Sequence, residues 1–363
     1  MKLTKRHNTF ILYAAILSLP LLLSSSCSMM QDDRSDCPDC RNPLRVMLRY
    51  DYNTQRADMF GDQVQEATVY VVDPQTGIII DKQSTASTTE AHPMNYPSFA
   101  FNFEGLTPGH YRLYATGCSA AETAFATTAP QIGERIDRLQ FTVPSKDNMS
   151  QRLDTIWNTL KPIDIIVPEK EPSEATVPLM RLTNDLNVIV FRRDGSLDNG
   201  HERYDVFVTD KTQTLGYDNG PTADGLAQDI PLQYHPFAAW TTETTVSDGF
   251  PVGTDSIAER NAHYDLSLFR LMVNDDARHN ARLIIRNRET GHEIVNIDLC
   301  HYLALARNAY EIHHYGPQEY LDREYDYRLD FGIEGKGSDE TWKYMTISIN
   351  VLSWAIRIQN EEL

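Results

Sequence analysis

From residue 44 onward, apolar and polar side chains alternate along much of the chain. Every second residue of segment 44–52 is apolar or aromatic, and most residues between them are charged. This period of two is typical of a β-strand with one buried face. A similar segment follows at 99–103, a largely apolar strand is predicted at 186–191, and glycine-containing turns at 73–77 and 286–292 predict hairpins between neighbouring strands. We therefore expect a mainly β protein of the sandwich type.

Two successive β-domains account for the pattern better than one large domain. A charged segment at 168–174, bounded by two prolines, separates two groups of predicted strands. We place an N-terminal β-sandwich at residues 44–170 and a C-terminal β-sandwich at residues 171–363. The apolar residues between Leu153 and Leu160 fall at helical spacing, so one short helix is expected there. The predicted fold class is all-β, with two tandem sandwiches and a minor helical content.

Ahead of the strands, a basic segment, an apolar segment and a run of small residues lead to Cys27. The apolar segment, residues 10–23, is shorter than the roughly 20 residues that a membrane-spanning helix needs. This order is typical of a secretory signal with a lipoprotein cleavage site. We expect residues 1–26 to be removed and Cys27 to carry lipid on its thiol. Ser24 departs from the usual pattern, in which leucine is common, and an ordinary signal peptide with an incidental cysteine is the alternative.

Composition and charge narrow the classes of partner. Hydrophobic residues make up 41% of the 363 residues, which is enough to build packed cores. The formal net charge is −18, and such a surface repels nucleic-acid phosphates and anionic lipid headgroups. We expect no nucleic-acid partner, and we expect membrane attachment through the lipid on Cys27. The polar, acidic segment 27–43 is predicted to be a tether between the lipid and the first strand.

Four cysteines follow Cys27, and two of them form the sequence Cys37-Pro-Asp-Cys40. This spacing occurs in disulfides, in redox sites and in one half of a zinc site. Since no second Cys-x-x-Cys and no His-x-x-x-His accompanies it, a disulfide or structural role for Cys37 and Cys40 is the preferred interpretation. Metal or redox chemistry is the alternative. The connectivity stays open, and so does the state of Cys118 and Cys300.

No residue pattern points to catalysis. The chain has no nucleophile elbow or phosphate loop, and His292-Glu293 lacks the second histidine of a zinc-protease motif. Segment 322–326 is acidic enough to hold a cation, but a solvated, salt-bridged segment is the preferred interpretation. We expect no enzymatic activity, and no metal or cofactor apart from the covalent lipid on Cys27.

Four parts of the sequence together carry a family resemblance. They are Cys37-Pro-Asp-Cys40 with LRVMLRYDYN at 44–53, LTPGHYRLYA at 106–115, QEYLDRE at 318–324, and ISINVLSWAIRIQNEEL at 347–363. These segments resemble the FimB-type anchor subunits of Bacteroidetes fimbriae (type V pili), over nearly the whole chain. The resemblance implies two transthyretin-like β-sandwich domains and lipid anchorage in the outer membrane, with the protein exposed at the cell surface. It also implies binding of the fimbrial shaft subunit (pilin) at the base of the shaft, and a limit on shaft length.

The C-terminal segment 346–358 is the candidate for contact with the shaft subunit. Ile347, Ile349 and Val351 alternate in it and predict a strong strand. The resemblance implies that subunits of these pili join when an extended strand fills a groove in a neighbour, so these three residues are the candidate partner-binding residues. The preferred interpretation is that the strand completes the second sandwich. A surface glycan-binding lipoprotein is the alternative function, and it requires exposed aromatic residues on one face.

Overall fold

The structure is a computed structural model that describes residues 43–88, 91–119, 125–143, 149–192, 199–225, 231–246, 257–349 and 354–359. Strands predominate in it and helices are short. The predicted all-β fold class with a minor helical content is therefore confirmed.

The described strands are β1 (Leu44–Arg49), β2 (Glu66–Val72), β3 (Ile79–Ala86), β4 (Phe101–Phe103), β5 (Gly109–Cys118), β6 (Ala126–Thr128), β7 (Gln140–Thr142), β8 (Ile156–Thr159), β9 (Ile163–Val167), β10 (Ser173–Arg181), β11 (Thr183–Arg192), β12 (Tyr204–Asp210), β13 (Thr214–Gly216), β14 (Leu232–Tyr234), β15 (Ala238–Val246), β16 (Ile257–Phe269), β17 (Arg282–Asn287), β18 (Glu293–Asp298), β19 (Asp326–Glu334), β20 (Thr341–Ile349) and β21 (Trp354–Gln359). The described α-helices are α1 (Phe60–Gln63), α2 (Leu299–Ala304), α3 (Ala309–His314) and α4 (Pro317–Arg323).

The first sheet has eight strands, in the order β3-β2-β5-β8-β10-β1-β4, and β9 also pairs with β5. In β1, buried side chains alternate with more exposed ones, as the sequence predicts. β1 pairs in parallel with β10 and antiparallel with β4. β10 therefore belongs to this sheet, although the predicted boundary assigns residues 171–181 to the C-terminal sandwich. The division into two domains stays a prediction.

The helix expected between Leu153 and Leu160 is wrong. Residues 156–159 form β8, which pairs with β5 on one side and with β10 on the other. Ile156 packs into one hydrophobic core and Trp157 into another. Because both faces of β8 are covered, its apolar residues do not alternate, and their helical spacing carries no structural meaning.

The C-terminal part forms a six-stranded sheet, β15-β16-β11-β19-β20-β21, and a four-stranded sheet, β14-β12-β17-β18. A small sheet of β13, β7 and β6 joins strands from the two halves of the chain. Both predicted hairpins are present, between β2 and β3 and between β17 and β18. Gly77 and Gly291 adopt a φ of 72° in their turns, a conformation that glycine tolerates best.

Two clusters of buried apolar side chains hold the sheets together. The smaller cluster receives side chains from β1, β2, β4 and β5, and all of these strands belong to the first sheet. The larger cluster receives side chains from both C-terminal sheets and also from Tyr70, Tyr114 and Ile156 of the first sheet. Since one core includes residues from both halves of the chain, the halves pack directly against each other.

One buried carboxylate connects the two C-terminal sheets. Glu340, just before β20, accepts hydrogen bonds from Arg192 at 2.7 Å, from Arg203 at 2.6 Å and from Asn287 at 2.5 Å. Burial raises the pKa of Glu340, but these hydrogen bonds outweigh burial and the net shift of the pKa is downward. Arg192 lies on β11 and Asn287 on β17, so the network joins one sheet to the other.

Candidate attachment site

The C-terminal segment 346–358 contains part of an interior strand and most of an edge strand. β20 lies between β19 and β21 in the six-stranded sheet. Ile347 and Ile349 on β20 are 0% and 1% exposed and belong to the larger core. Their side chains therefore contribute to the packing of this chain. Val351, the third candidate, lies outside the described residues.

β21 forms one end of the six-stranded sheet. It pairs with β20 along six residues, and no other described strand pairs with it. The outer N–H and C=O groups of an edge strand can form hydrogen bonds with an extended segment of another chain. β21 is thus the part of the C-terminal segment whose geometry suits strand addition.

A second open edge lies at the end of β1. β4 pairs with β1 only from Leu44 to Val46. Beyond Val46, no described strand covers that side of β1. A cleft of about 500 Å³ borders this edge, and Phe60 and Phe99 are among its walls. The edge of β1 beyond Val46 and the outer side of β21 are thus two of the open edges among the described strands.

The QEYLDRE segment at 318–324 joins distant parts of the chain. It forms most of α4, where the side chain of Gln318 accepts the N–H of Val273 at 2.7 Å. Asp322 holds Arg270 in a two-point ion pair, with both N···O distances at 2.7 Å. These contacts attach α4 to the segment that follows β16.

The end of the same segment contacts the loop that follows β1. The guanidinium carbon of Arg323 lies 4.0 Å from the ring centroid of Tyr52, and the carbonyl of Arg323 accepts the N–H of Thr54 at 3.2 Å. Glu324 accepts the hydroxyl of Thr54 at 2.8 Å, and burial raises the pKa of Glu324. The QEYLDRE segment therefore fastens the N-terminal loop 50–59 to the C-terminal half.

The same contacts involve the acidic segment 322–326, for which a salt-bridged role was preferred to cation binding. Asp322 and Glu324 are engaged in the pairs described above. Across the described ranges, no group of three or more His, Cys, Asp or Glu side chains is placed to hold a metal ion. In that same part of the chain, no helix is both long enough and apolar enough to span a bilayer.

The cysteines divide into two groups. Cys27, Cys37 and Cys40 lie outside the described residues, so their predicted lipid and disulfide roles stay predictions. Within the described ranges, Cys118 and Cys300 form no disulfide with each other. Cys118 is half-buried, whereas Cys300 is fully buried and its pKa is raised by that burial.

The helix α3 lies just before the QEYLDRE segment in the chain, and the sequence patterns did not reveal it. Asn308 and Glu311 form a capping box at the start of α3. Glu311 is buried, whereas Tyr310 is 46% exposed and Ile312 is 56% exposed. Two apolar side chains of this helix are therefore accessible to solvent. The Asn-x-x-Glu spacing at 308–311 was the available sequence signal.

The chain matches one protein-family model and is similar in fold to several solved structures. A family model described as "Fimbrillin-A associated anchor proteins Mfa1 and Mfa2" matches residues 34–360. A solved structure of a proposed adhesin from Bacteroides thetaiotaomicron is 23% identical, with a TM-score of 0.70, and the match covers 87% of this chain and 97% of that one. A proposed polysaccharide-binding protein from the same bacterium is 24% identical, with a TM-score of 0.68 and coverage of 88% and 99%.

The fimbrial anchor protein Mfa2 from Porphyromonas gingivalis is 16% identical, with a TM-score of 0.59, and the match covers 87% of this chain and 99% of that one. At these identities the three structures show a shared fold. No curated protein matches the chain.

Proposed function

This chain belongs to the family of fimbrillin-A associated anchor proteins Mfa1 and Mfa2, and from this membership we propose that it is an outer-membrane lipoprotein that holds the base of a fimbria on the cell. Family membership gives it a fimbria-associated role at the cell surface. The observation that carries the proposal is the extent of the family match, which covers residues 34–360. The family is one of structural anchor proteins, and the proposal assigns no catalytic step.

The lipid on Cys27 is the membrane attachment in this proposal. The sequence before Cys27 has the order of a lipoprotein signal, and the acidic segment 27–43 gives the fold a polar tether. A protein with a net charge of −18 gains nothing from anionic headgroups, so covalent acyl chains supply the binding energy. Each buried methylene contributes about 0.8 kcal/mol, and two or more acyl chains hold a protein stably.

The shaft subunit, in the same proposal, pairs an extended strand with the open side of β21. Support comes from the position of β21 at the end of its sheet and from the burial of Ile347 and Ile349 on the neighbouring β20. Backbone hydrogen bonds along such an edge supply affinity, and alternate side chains set the register. A base subunit that ends the shaft in this way also gives the fimbria a defined length.

Two truncations test the docking step. Deleting residues 354–363 removes β21 but keeps Ile347 and Ile349, so we expect a folded protein that no longer captures purified shaft subunit. Deleting residues 346–363 also removes two core side chains, and we expect this variant to unfold. Circular dichroism melts separate the two effects. If the variant that lacks residues 354–363 captured the shaft subunit with wild-type affinity, docking on β21 would be ruled out.

Glycan binding is the alternative function. It draws support from the description of one structural relative as a proposed polysaccharide-binding protein, and from Trp240, which is 38% exposed and stacks on His263 with ring centroids 5.0 Å apart. A glycan array compared with shaft-subunit capture discriminates the two functions. Glycan binding without shaft capture would replace the anchor proposal.

A further inference from the structure

The strand β1 is held by a neighbouring strand on each side. All of its residues, Leu44–Arg49, lie opposite Ser173–Pro178 of the parallel strand β10, and its first three residues also pair with β4. The carbonyl of Pro43 extends this contact, because it accepts the N–H of Ser173 at 3.4 Å. β1 is also the first described strand after the predicted lipid tether. A pull on the tether therefore reaches the fold at β1.

The direction of the pairing decides how such a pull acts on the strands. Because β1 and β10 run in parallel, the tether joins β1 at one end of the pair and the chain leaves β10 at the other end. Only Leu182 separates the end of β10 from β11, an interior strand of the six-stranded sheet. A pull between the tether and that sheet makes β1 slide along β10. The hydrogen bonds between the two strands then resist at the same time.

Side chains of β1 oppose the same sliding motion. Leu44, Val46 and Leu48 belong to the smaller core and are at most 6% exposed. A shift of the strand along its axis must move these side chains out of a closely packed interior. Arg45 forms an ion pair with Glu174 of β10 at 3.1 Å, and it also donates to the carbonyl of Ser98 at 2.9 Å. Buried and exposed side chains of β1 therefore both hold it in register.

The loop that follows β1 is fastened to the C-terminal half of the chain. The N–H of Thr54 donates to the carbonyl of Arg323 at 3.2 Å, and its hydroxyl donates to Glu324 at 2.8 Å. The guanidinium carbon of Arg323 also lies 4.0 Å from the ring centroid of Tyr52. The tether thus joins one end of β1, and the C-terminal half is reached from the other end. A pull between them runs along the strand.

We propose that β1 is the force-bearing strand of this protein and that it transmits tension from the lipid tether to the half of the chain that carries β21. This inference rests on the proposed anchor function, which puts the membrane on one side of β1 and the fimbrial shaft on the other. A fimbria that meets flow pulls on its base. A strand pulled along its neighbour stays paired under tension that would peel off a strand pulled sideways, because peeling breaks the hydrogen bonds one after another.

Optical-tweezers measurements on the purified chain without its predicted signal peptide test the inference. One handle is attached to the amino terminus. The other is attached through a reactive azide at one of two exposed positions, Arg328→p-azidophenylalanine in β19 or Glu171→p-azidophenylalanine just before β10. The handle at position 328 pulls β1 along β10, whereas the handle at position 171 pulls neighbouring strand ends apart.

The release of β1 is identified in both arrangements by the gain in contour length. At the same loading rate, we expect β1 to be released at about twice the force or more when the handle is at position 328, because its hydrogen bonds break together. Neither lipid nor shaft subunit is present, so the measurement does not depend on the anchor proposal.

A matched pair of core variants locates the resistance on β1. Val46 and Val206 are 0% and 1% exposed, and Val206 lies on β12 in the four-stranded sheet, outside the path from β1 to β11. Both Val46→Ala and Val206→Ala should lower stability in urea. Only Val46→Ala should speed the release of β1 at a fixed force, by about tenfold, in the arrangement with the handle at position 328. Arg45→Ala should act in the same direction.

Cells show whether β1 carries tension where the protein works. Cells with each of the two valine variants are placed under flow, after immunoblots have shown equal amounts of the chain at the surface. We expect cells with Val46→Ala to shed fimbriae about twice as fast or faster than cells with Val206→Ala.

The outcomes separate this inference from the function on which it rests. Equal release forces in the two handle arrangements overturn the inference and leave the anchor proposal standing. A Val46→Ala chain that releases β1 no faster than the wild type, or equal shedding by the two variants, does the same. Unchanged fimbriation of cells that lack this chain overturns the anchor proposal, and with it the role of β1 in holding fimbriae.

Discussion

Replacing Asp210 with asparagine should stabilise this protein at neutral pH. Asp210 ends β12 and is 4% exposed. Its Oδ1 accepts the N–H groups of Lys211 at 2.6 Å and Thr212 at 3.1 Å. Its Oδ2 is buried and has no hydrogen-bond partner within the described part of the chain. Burial raises the pKa of Asp210 to about 6, because the charged form is poorly solvated there.

The size and sign of the effect follow from this pKa. The difference between about 6 in the fold and the ordinary 3.8 corresponds to about 3 kcal/mol of unfolding free energy. Below about pH 3 the carboxyl group is protonated in both states, so Asp210 causes almost no loss of stability. As the pH rises from about 4 to about 6, the unfolded state releases this proton first, and stability falls by up to that amount.

Asparagine stays neutral at every pH and keeps an oxygen for the two backbone N–H groups. We expect Asp210→Asn to be up to about 3 kcal/mol more stable than the wild type near pH 7.5 and to show almost no gain near pH 3. Urea unfolding at both pH values, followed by tryptophan fluorescence, measures the difference. Exposed Asp62→Asn is the control. A variant that is no more stable near neutral pH, or equally stabilised at both pH values, would refute this reasoning.

Three further outcomes are expected. Glu340→Ala leaves Arg192 buried without its carboxylate, so urea unfolding should show a loss of about 3–5 kcal/mol; a loss below about 1 kcal/mol would contradict the network. Ile347→Ala should cost about 2–5 kcal/mol in the same assay, because the side chain is fully buried, and a neutral effect would argue against its core position. Maleimide should label Cys300 only after urea, as read by peptide mass spectrometry; rapid labelling of Cys300 in the folded protein would conflict with its burial.

The strand β1, which is covered mainly on one face, could be predicted from its period of two, whereas β8, which is covered on both faces, could not. β1 shows its period of two in the printed sequence, and glycine marks the turns at Gly77 and Gly291. β8 lacks this period because Ile156 and Trp157 enter different cores. Its strand character comes from pairing with β5 and β10, which local sequence does not encode.

The helices near the candidate site escaped prediction because they are short. α2, α3 and α4 have six or seven residues each, too few for an apolar period to emerge. Their readable signals were local ones, such as the capping residues Asn308 and Glu311 and the proline that opens α4.

The role of the QEYLDRE segment depended on contacts that sequence does not show. The segment was recognisable as distinctive, but its partners Tyr52 and Thr54 are remote, and Thr54 is 270 residues from Glu324. The placement of Ile347 and Ile349 is likewise a matter of sheet order, because β20 lies between two other strands. The period of two predicted that residues 347 and 349 lie on a strand. Whether their side chains contact the core or a partner depends on which strands pair with β20, and the period does not show that.

The anchor proposal is tested most directly by locating the fimbriae of cells that carry the Cys27→Ala variant. Without the thiol no acyl chain can be attached, so we expect the protein to leave the membrane fraction and assembled fimbriae to appear in the culture medium. Immunogold microscopy and fractionation with an antibody against this chain read both results. A Cys27→Ala protein that stays in the outer membrane, with fimbriae attached to the cell as before, would contradict the account.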